Sequence, residues 1–269
     1  MPIYSKTIYN LMTSYYKNYY KNELGLKDFE DRIKLRLDEE TNFCLHPIET
    51  FERISGKSFK NKKVLVVGAG TGGEVINFNN KQSKTYAIEP SDDALKICHL
   101  KCQHLKISTS RIKKSFAEEL PFEDKFFDFV YCYTVLEHVN DVKKTIKEII
   151  RCSRKGGFVF IQCPNYNQLY EPHYKLPLPM FLPVWFNKII LRIIGRPVEF
   201  LDSINKVTPA RLEKIFSTLN IKYTEHAPPM SKTSLNFFKP YTFIAFLREI
   251  IYRVFNQNTS QIWLLEKKS

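Results

Sequence analysis

The residues with the most chemical content are Glu89 and, about twenty positions before it, three glycines at alternate positions, Gly68, Gly70 and Gly72. A carboxylate at the tip of a strand, beside a glycine turn, can accept both hydroxyls of a ribose. The glycines let the backbone turn sharply and let a ligand lie against it. By itself Gly-x-Gly-x-Gly also fits a bare strand-to-helix turn, so Glu89 is what makes the pair informative. No Lys-Ser or Lys-Thr follows the last glycine, which excludes a P-loop and leaves a dinucleotide or S-adenosylmethionine. Two histidines are candidates for proton transfer. His173, flanked by Glu171 and Tyr174, is the preferred general base, and His138, next to Glu137, is the second. A packing or positioning role is the plainer reading of each.

These groups need a scaffold that brings strand ends together. The apolar run Val64–Val67 stops at the glycines and a helical pattern follows, which reads as a strand buried on both faces and a helix offering its N-terminal N–H groups. Strands and helices then alternate: a strand at Thr85–Ile88, a helix opened by Ser91 or Asp92, a short strand at Ile112–Ser115, a strand at Phe127–Tyr131, a helix from Asp141 to Cys152, and a strand at Phe158–Gln162 after Gly156-Gly157. Thr208 and Pro209 start a further helix, Ile221–Tyr223 is a strand, and Gln261–Leu265 is the expected final antiparallel strand. Residues 1–60 show helical spacing at Tyr9, Met12, Tyr16 and Tyr19, punctuated at Pro47 and Gly56. They read as an N-terminal helical cap that packs on the sheet or covers the ligand.

The chain has 269 residues, 43% hydrophobic and 14% aromatic, with a formal net charge of +13. That supports one large α/β domain and excludes global disorder. The charge favours anionic partners. The first 22 residues lack the apolar core of a signal peptide, and no window is long and apolar enough to span a membrane. The six scattered cysteines lack paired spacing and read as reduced, buried thiols of a cytoplasmic protein.

The ordered series Val64–Gly72, Ala87-Ile88-Glu89-Pro90-Ser91, Ala117–Phe122 with Phe126–Val130, Leu136-Glu137-His138-Val139, and Lys155-Gly156-Gly157 with Cys163-Pro164-Asn165 resembles class I S-adenosylmethionine-dependent methyltransferases. The nearest resemblance is to their ubiquinone/menaquinone-biosynthesis-like (methyltransferase type 11) branch, and it covers residues 60–165. It implies an α/β Rossmann-like fold, with a seven-stranded mostly parallel sheet and helices on both faces. By that resemblance Gly68, Gly70 and Gly72 line the methionyl and ribose part of S-adenosylmethionine, Glu89 takes the ribose hydroxyls, Ala117 and Glu118 border the adenine, and Tyr133 faces the transfer crevice. Val66 and Phe116 depart from the pattern, standing where the family often has acids. Thr134 replaces the acid one turn before Glu137, so no metal is expected.

Two segments interrupt the methyltransferase domain of residues 61–269: residues 166–206 and 227–258. An insertion after the fifth strand sits over the ligand crevice of a doubly wound sheet, so both are read as substrate lids. Each joins large apolar residues to Lys and Arg. That pattern fits peripheral contact with a membrane; the preferred reading is a hydrophobic lid packed on its own domain. The expected activity is methyl transfer to oxygen of a small apolar, glycan-linked or lipid-linked acceptor. The rivals are an RNA-modifying methyltransferase, for which no added domain or Arg-rich tract is present, and a non-catalytic S-adenosylmethionine-binding relative.

Overall fold

Strand β1 (Lys63–Val67) supplies two cores at once. Val64 and Val66 join one buried cluster, and Leu65 and Val67 join another on the opposite face. This is the two-fold alternation of a strand covered on both sides. The computed structural model describes residues 4–226 and 259–268. The inserted segment 227–258 of the sequence reading lies outside the described residues.

The element order is α1 (Lys6–Lys17), α2 (Phe29–Ser55), β1, α3 (Gly73–Asn80), β2 (Lys84–Ile88), α4 (Asp92–His104), β3 (Ile112–Lys113), β4 (Phe127–Tyr133), α5 (Val142–Cys152), β5 (Ser153–Pro164), α6 (Val184–Ile193), α7 (Pro209–Phe216), β6 (Ile221–His226) and β7 (Ser260–Lys267). The seven strands run in the order β3-β2-β1-β4-β5-β7-β6. All neighbours pair in parallel except β7, which runs antiparallel to β5 and β6. The expected Rossmann-like sheet with helices on both faces is therefore present. Ser91, Asp141 and Thr208 cap α4, α5 and α7 through their side-chain oxygens, each satisfying a backbone N–H that the first helical turn leaves over.

On one face α5 and α7 bury Ile146, Ile149, Leu212 and Phe216 against Val130, Val159 and Trp263. On the other, α1–α4 bury Met12, Ile48, Phe51, Phe78 and Ile97 against Val66, Phe129, Tyr131 and Phe160. The N-terminal helices are thus part of the layer that covers the sheet. A third cluster joins Leu24 and Leu26 to Tyr174, Leu178, Met180, Leu191 and Leu201 of the 166–206 segment. Arg196 Nη1 also donates to Leu24 O at 2.8 Å.

Two local expectations change. Pro47 does not punctuate the N-terminal region, because α2 runs through it and ends only at Gly56, in the left-handed conformation. Ile48 and Phe51, both fully buried just beyond the proline, hold the helix to the sheet core. Gly156-Gly157 does not precede β5 but lies inside it. The pairing with β4 shifts register there, between Phe127 and Phe129, and a Cβ on Gly157 would come within 2.8 Å of Ser153 Oγ and 2.9 Å of Arg154 O. A glycine at that irregularity is what a β-bulge needs.

Candidate functional site

Strand order reverses between β1 and β4, so their carboxyl ends part and leave a crevice. A cavity of about 560 Å³ opens there, lined among others by Gly68, Gly70, Glu89, Ala117, Glu118, Tyr133, His138 and Phe200. That volume lies within the roughly 300–1,000 Å³ typical of small-molecule sites.

The end beneath β1 and β2 is built from backbone and one carboxylate. Glu89 accepts from the Gly70 N–H at 2.8 Å and from the Ser91 N–H at 2.9 Å. Burial raises its pKa, and those two N–H groups pull it back. Gly68 and Gly70 have φ of +74° and +50°, a region L side chains rarely enter. Gly72 is a correction to the reading of three ligand-facing glycines. It is not on the cavity wall; a Cβ there would sit 2.7 Å from Cys98 Sγ, so Gly72 lets α4 pack close to the turn. Glu118 lines the cavity, but its carboxylate accepts from the Asn140 and Asp141 N–H groups and so fixes the loop before α5. Ala117 is buried on the same wall, while Phe116 is 60% exposed beside it.

The N-terminal helices run along the cavity from this end to Phe200, on which Tyr19 packs. Tyr15, Tyr16, Tyr19 and Tyr20 all line the cavity. The Tyr16 hydroxyl lies 2.9 Å from Thr71 Oγ1 of the glycine loop, and the Arg36 guanidinium lies over the Tyr16 ring. Val66, standing where the family often has an acid, is fully buried in β1. Glu74, in the first turn of α3, is one of the acids that line the cavity. Arg36 carried no signal in the spacing, because it reaches the cavity from α2, far from the glycine turn in sequence; Glu74, two residues past Gly72, was given no role. Tyr133 is half-buried on the wall, and burial, with the Glu74 charge second, pushes its hydroxyl up to about 12.

The other end brings together Glu137 and His138, just after β4, and Glu171 and His173 of the inserted segment. His138 is exposed and lies on the cavity wall. His173 is behind it: their ring centroids are 5.2 Å apart, and each packs on Phe200. The preferred general base of the sequence reading is therefore the one set back from the cavity. His173 Nδ1 lies 2.6 Å from Glu171 Oε1, and Glu171 Oε2 accepts from the Tyr174 N–H at 2.6 Å. Burial alone would lower the His173 pKa, but the Glu171 hydrogen bond and charge, with Glu137 adding, raise it overall. Burial and then the His173 charge pull His138 down to about 4.

Glu137 is fully buried, and neither carboxylate oxygen has a hydrogen-bond partner among the described residues. Burial pushes it up to about 7, against the pull of His173. Ligand atoms of Glu137, His138 and His173 all lie within 4.8 Å of one another, a donor set able to hold a divalent cation. The sequence reading expected no metal because Thr134 occupies the usual acid position. It did not foresee that His173, 35 positions beyond His138, comes to the same point.

Residues 65–161 match the methyltransferase domain family. An uncharacterised protein of Methanocaldococcus jannaschii is 32% identical over 195 residues, covering 68% of this chain and 78% of that protein. The ubiquinone biosynthesis O-methyltransferase of Nitrosospira multiformis is 32% identical over 123 residues, 45% of this chain and about half (48%) of that enzyme. In structure, a putative sarcosine dimethylglycine methyltransferase from Galdieria sulphuraria matches with a TM-score of 0.57 at 15% identity, over 96% of this chain and 98% of that one. The fold, the glycine turn with its carboxylate and these matches agree: the chain belongs to the class I S-adenosylmethionine-dependent methyltransferases.

Proposed function

We propose that the protein transfers a methyl group from S-adenosylmethionine to oxygen of a small apolar, glycan-linked or lipid-linked acceptor. The observation that carries this is one continuous cavity with the Gly70–Glu89 turn at one end and His138 at the other. The residues present fit the donor. A Cβ on Gly70 would meet nothing within 4 Å, so the backbone there is open to a ligand. Glu89 spends two of its roughly four lone-pair positions on backbone N–H groups, which orients the rest for ribose hydroxyls. Phe116 offers an exposed ring for adenine, and Glu74 an acid for the donor's amino group. The donor supplies an already activated methyl; the protein's tasks are alignment, exclusion of water and removal of a proton.

In this reading His138, neutral at pH 7, receives the hydrogen bond of the acceptor hydroxyl. His173, held by Glu171, takes the proton behind it. Removing that proton requires His173 to be neutral. The rate therefore falls as pH drops through the His173 pKa, at a value above the ordinary 6.5. Glu171→Gln removes the charge that contributes most to raising it, leaving that of Glu137, so the acid limb shifts to lower pH. The test is uptake of labelled methyl by a panel of phenols, polyprenyl-tailed quinols and lipid-linked glycans, followed by the pH profile of wild type and Glu171→Gln on the best acceptor. Uptake by RNA alone, or donor binding with no uptake across the panel, would contradict the proposal.

A second reading is favoured by the convergence of Glu137, His138 and His173: a divalent cation at these three would lower the pKa of the acceptor hydroxyl. Loss of turnover with a chelator, restored by added cation, separates it from direct proton transfer.

A further inference from the structure

The inserted segment carries a surface that the methyl-transfer site does not use. Among the described residues, Phe181, Trp185, Phe186, Ile189, Ile193 and Ile194 are all exposed large hydrophobics, with Trp185 at 62% and Ile193 at 79%. Trp185, Ile189 and Ile193 recur every fourth residue, and Phe186 lies beside them, so α6 shows solvent one continuous apolar face. Its other face is anchored: Asn187 and Leu191 are fully buried, and Asn187 Nδ2 donates to Pro179 O at 3.1 Å. Exposing six large apolar side chains on one short helix and its flanks is costly in water unless something covers them.

The charges around this face indicate the occupant. α6 contains no acidic residue; Arg192 is exposed, while Lys188 is paired with Asp202, in a chain of net charge +13. A second copy packed face to face would bring the exposed Arg192 side chains together without a compensating acid on the helix. An anionic bilayer satisfies both features, since tryptophan and aliphatic side chains enter the headgroup boundary while Arg192 meets lipid phosphate. No helix among the described residues is long and apolar enough to cross a membrane, so contact through α6 would be peripheral. We propose that α6 is an interfacial helix that seats the protein on an anionic lipid surface.

The position of α6 links this surface to the cavity. The chain turns at Gly195 and enters the short 3₁₀ turn Glu199–Ser203. Lys188 of α6 is bound to Asp202 of that turn at 2.6 Å, and Phe200 in the same turn lines the cavity against His138. An apolar acceptor dissolved in the bilayer would thus reach the histidine end from the α6 side. That last step rests on the methyltransferase reading; the lipid contact does not.

The chain has two tryptophans, exposed Trp185 and Trp263, which is 1% exposed, so tryptophan emission reports α6 with little interference. Full-length protein is mixed with vesicles of phosphatidylcholine and phosphatidylglycerol in equal parts, and with vesicles of phosphatidylcholine alone. No methyl donor is present, so failure leaves the methyltransferase reading standing. The expected result is a blue shift and co-sedimentation with the anionic vesicles, weaker with the neutral ones. Trp185→Phe should abolish the shift and keep most of the sedimentation. Ile189→Glu with Ile193→Glu should reduce sedimentation about tenfold or more, with unfolding temperature and donor affinity unchanged. Undiminished sedimentation of the double variant, absence of vesicle binding by wild type, or a solution dimer abolished by the double variant would each overturn the proposal.

Discussion

The two ends of the cavity are built on opposite plans. The glycine end is made of groups close in sequence: Gly68 and Gly70, Glu89 and the Ser91 N–H, held by strand pairing between β1 and β2. Its carboxylate is buried but supported by backbone N–H groups. The histidine end draws on Tyr19, Glu137, His138, Glu171, His173 and Phe200, from three distant stretches of chain. There Glu137 has no hydrogen-bond partner among the described residues, and His138 and His173 are shifted in opposite directions. A rigid backbone cradle suits a constant ligand. Mutually shifted titratable groups, with Glu137 buried behind an exposed His138, suit proton movement, at a cost in stability.

The contrast can be broken at its strongest point with His138→Ala. If the two ends divide binding from chemistry, turnover falls about 100-fold or more, and calorimetry finds donor affinity unchanged. Equal loss of both would merge the two ends into one.

The next effect concerns stability. The Glu137 pKa is about 7 in the fold, above its ordinary value, so the folded state keeps this proton longer than the unfolded chain. Stability from this group is lost as pH rises from the ordinary carboxylate range through 7. Glu137→Gln removes the ionisation. Urea unfolding at pH 8 should find the variant more stable by up to about 3 kcal/mol, with little difference at pH 5. No gain at pH 8 would mean that Glu137 is charged and compensated, as a bound cation would make it.

The smallest effect sharpens the description of the glycine end. Tyr16→Phe removes the contact with Thr71 Oγ1. One hydrogen bond of about 1 kcal/mol corresponds to roughly fivefold weaker donor binding, with turnover at saturating donor unchanged. An unchanged affinity would make Tyr16 a packing residue only.

How much of this was legible in the sequence follows the same division. The sheet and the glycine end were readable because β1, the turn and β2 are short local patterns with fixed spacing. Gly72 was misread because spacing alone does not tell a glycine facing a ligand from one facing Cys98. The Gly156-Gly157 pair read as a boundary, since a bulge that continues a strand leaves the same residue types as a turn that ends one. At the histidine end the identity of His138 and His173 was visible, but their order was not. Which of them meets the cavity depends on how the 166–206 segment folds back onto Leu24 and Leu26, a long-range packing that no local period encodes. Arg36 was unseen for a like reason, since it reaches the cavity from α2.

The central claim is that the Gly70–Glu89 turn binds S-adenosylmethionine. The most direct test is calorimetric titration of wild type and Glu89→Ala with S-adenosylmethionine and, separately, with NAD. The account predicts saturable binding of the methyl donor, weakened roughly tenfold to 100-fold in Glu89→Ala by loss of the charged acceptor for its ribose hydroxyls, and no saturable binding of NAD. Donor binding that is absent in wild type, or equal in Glu89→Ala, would contradict it.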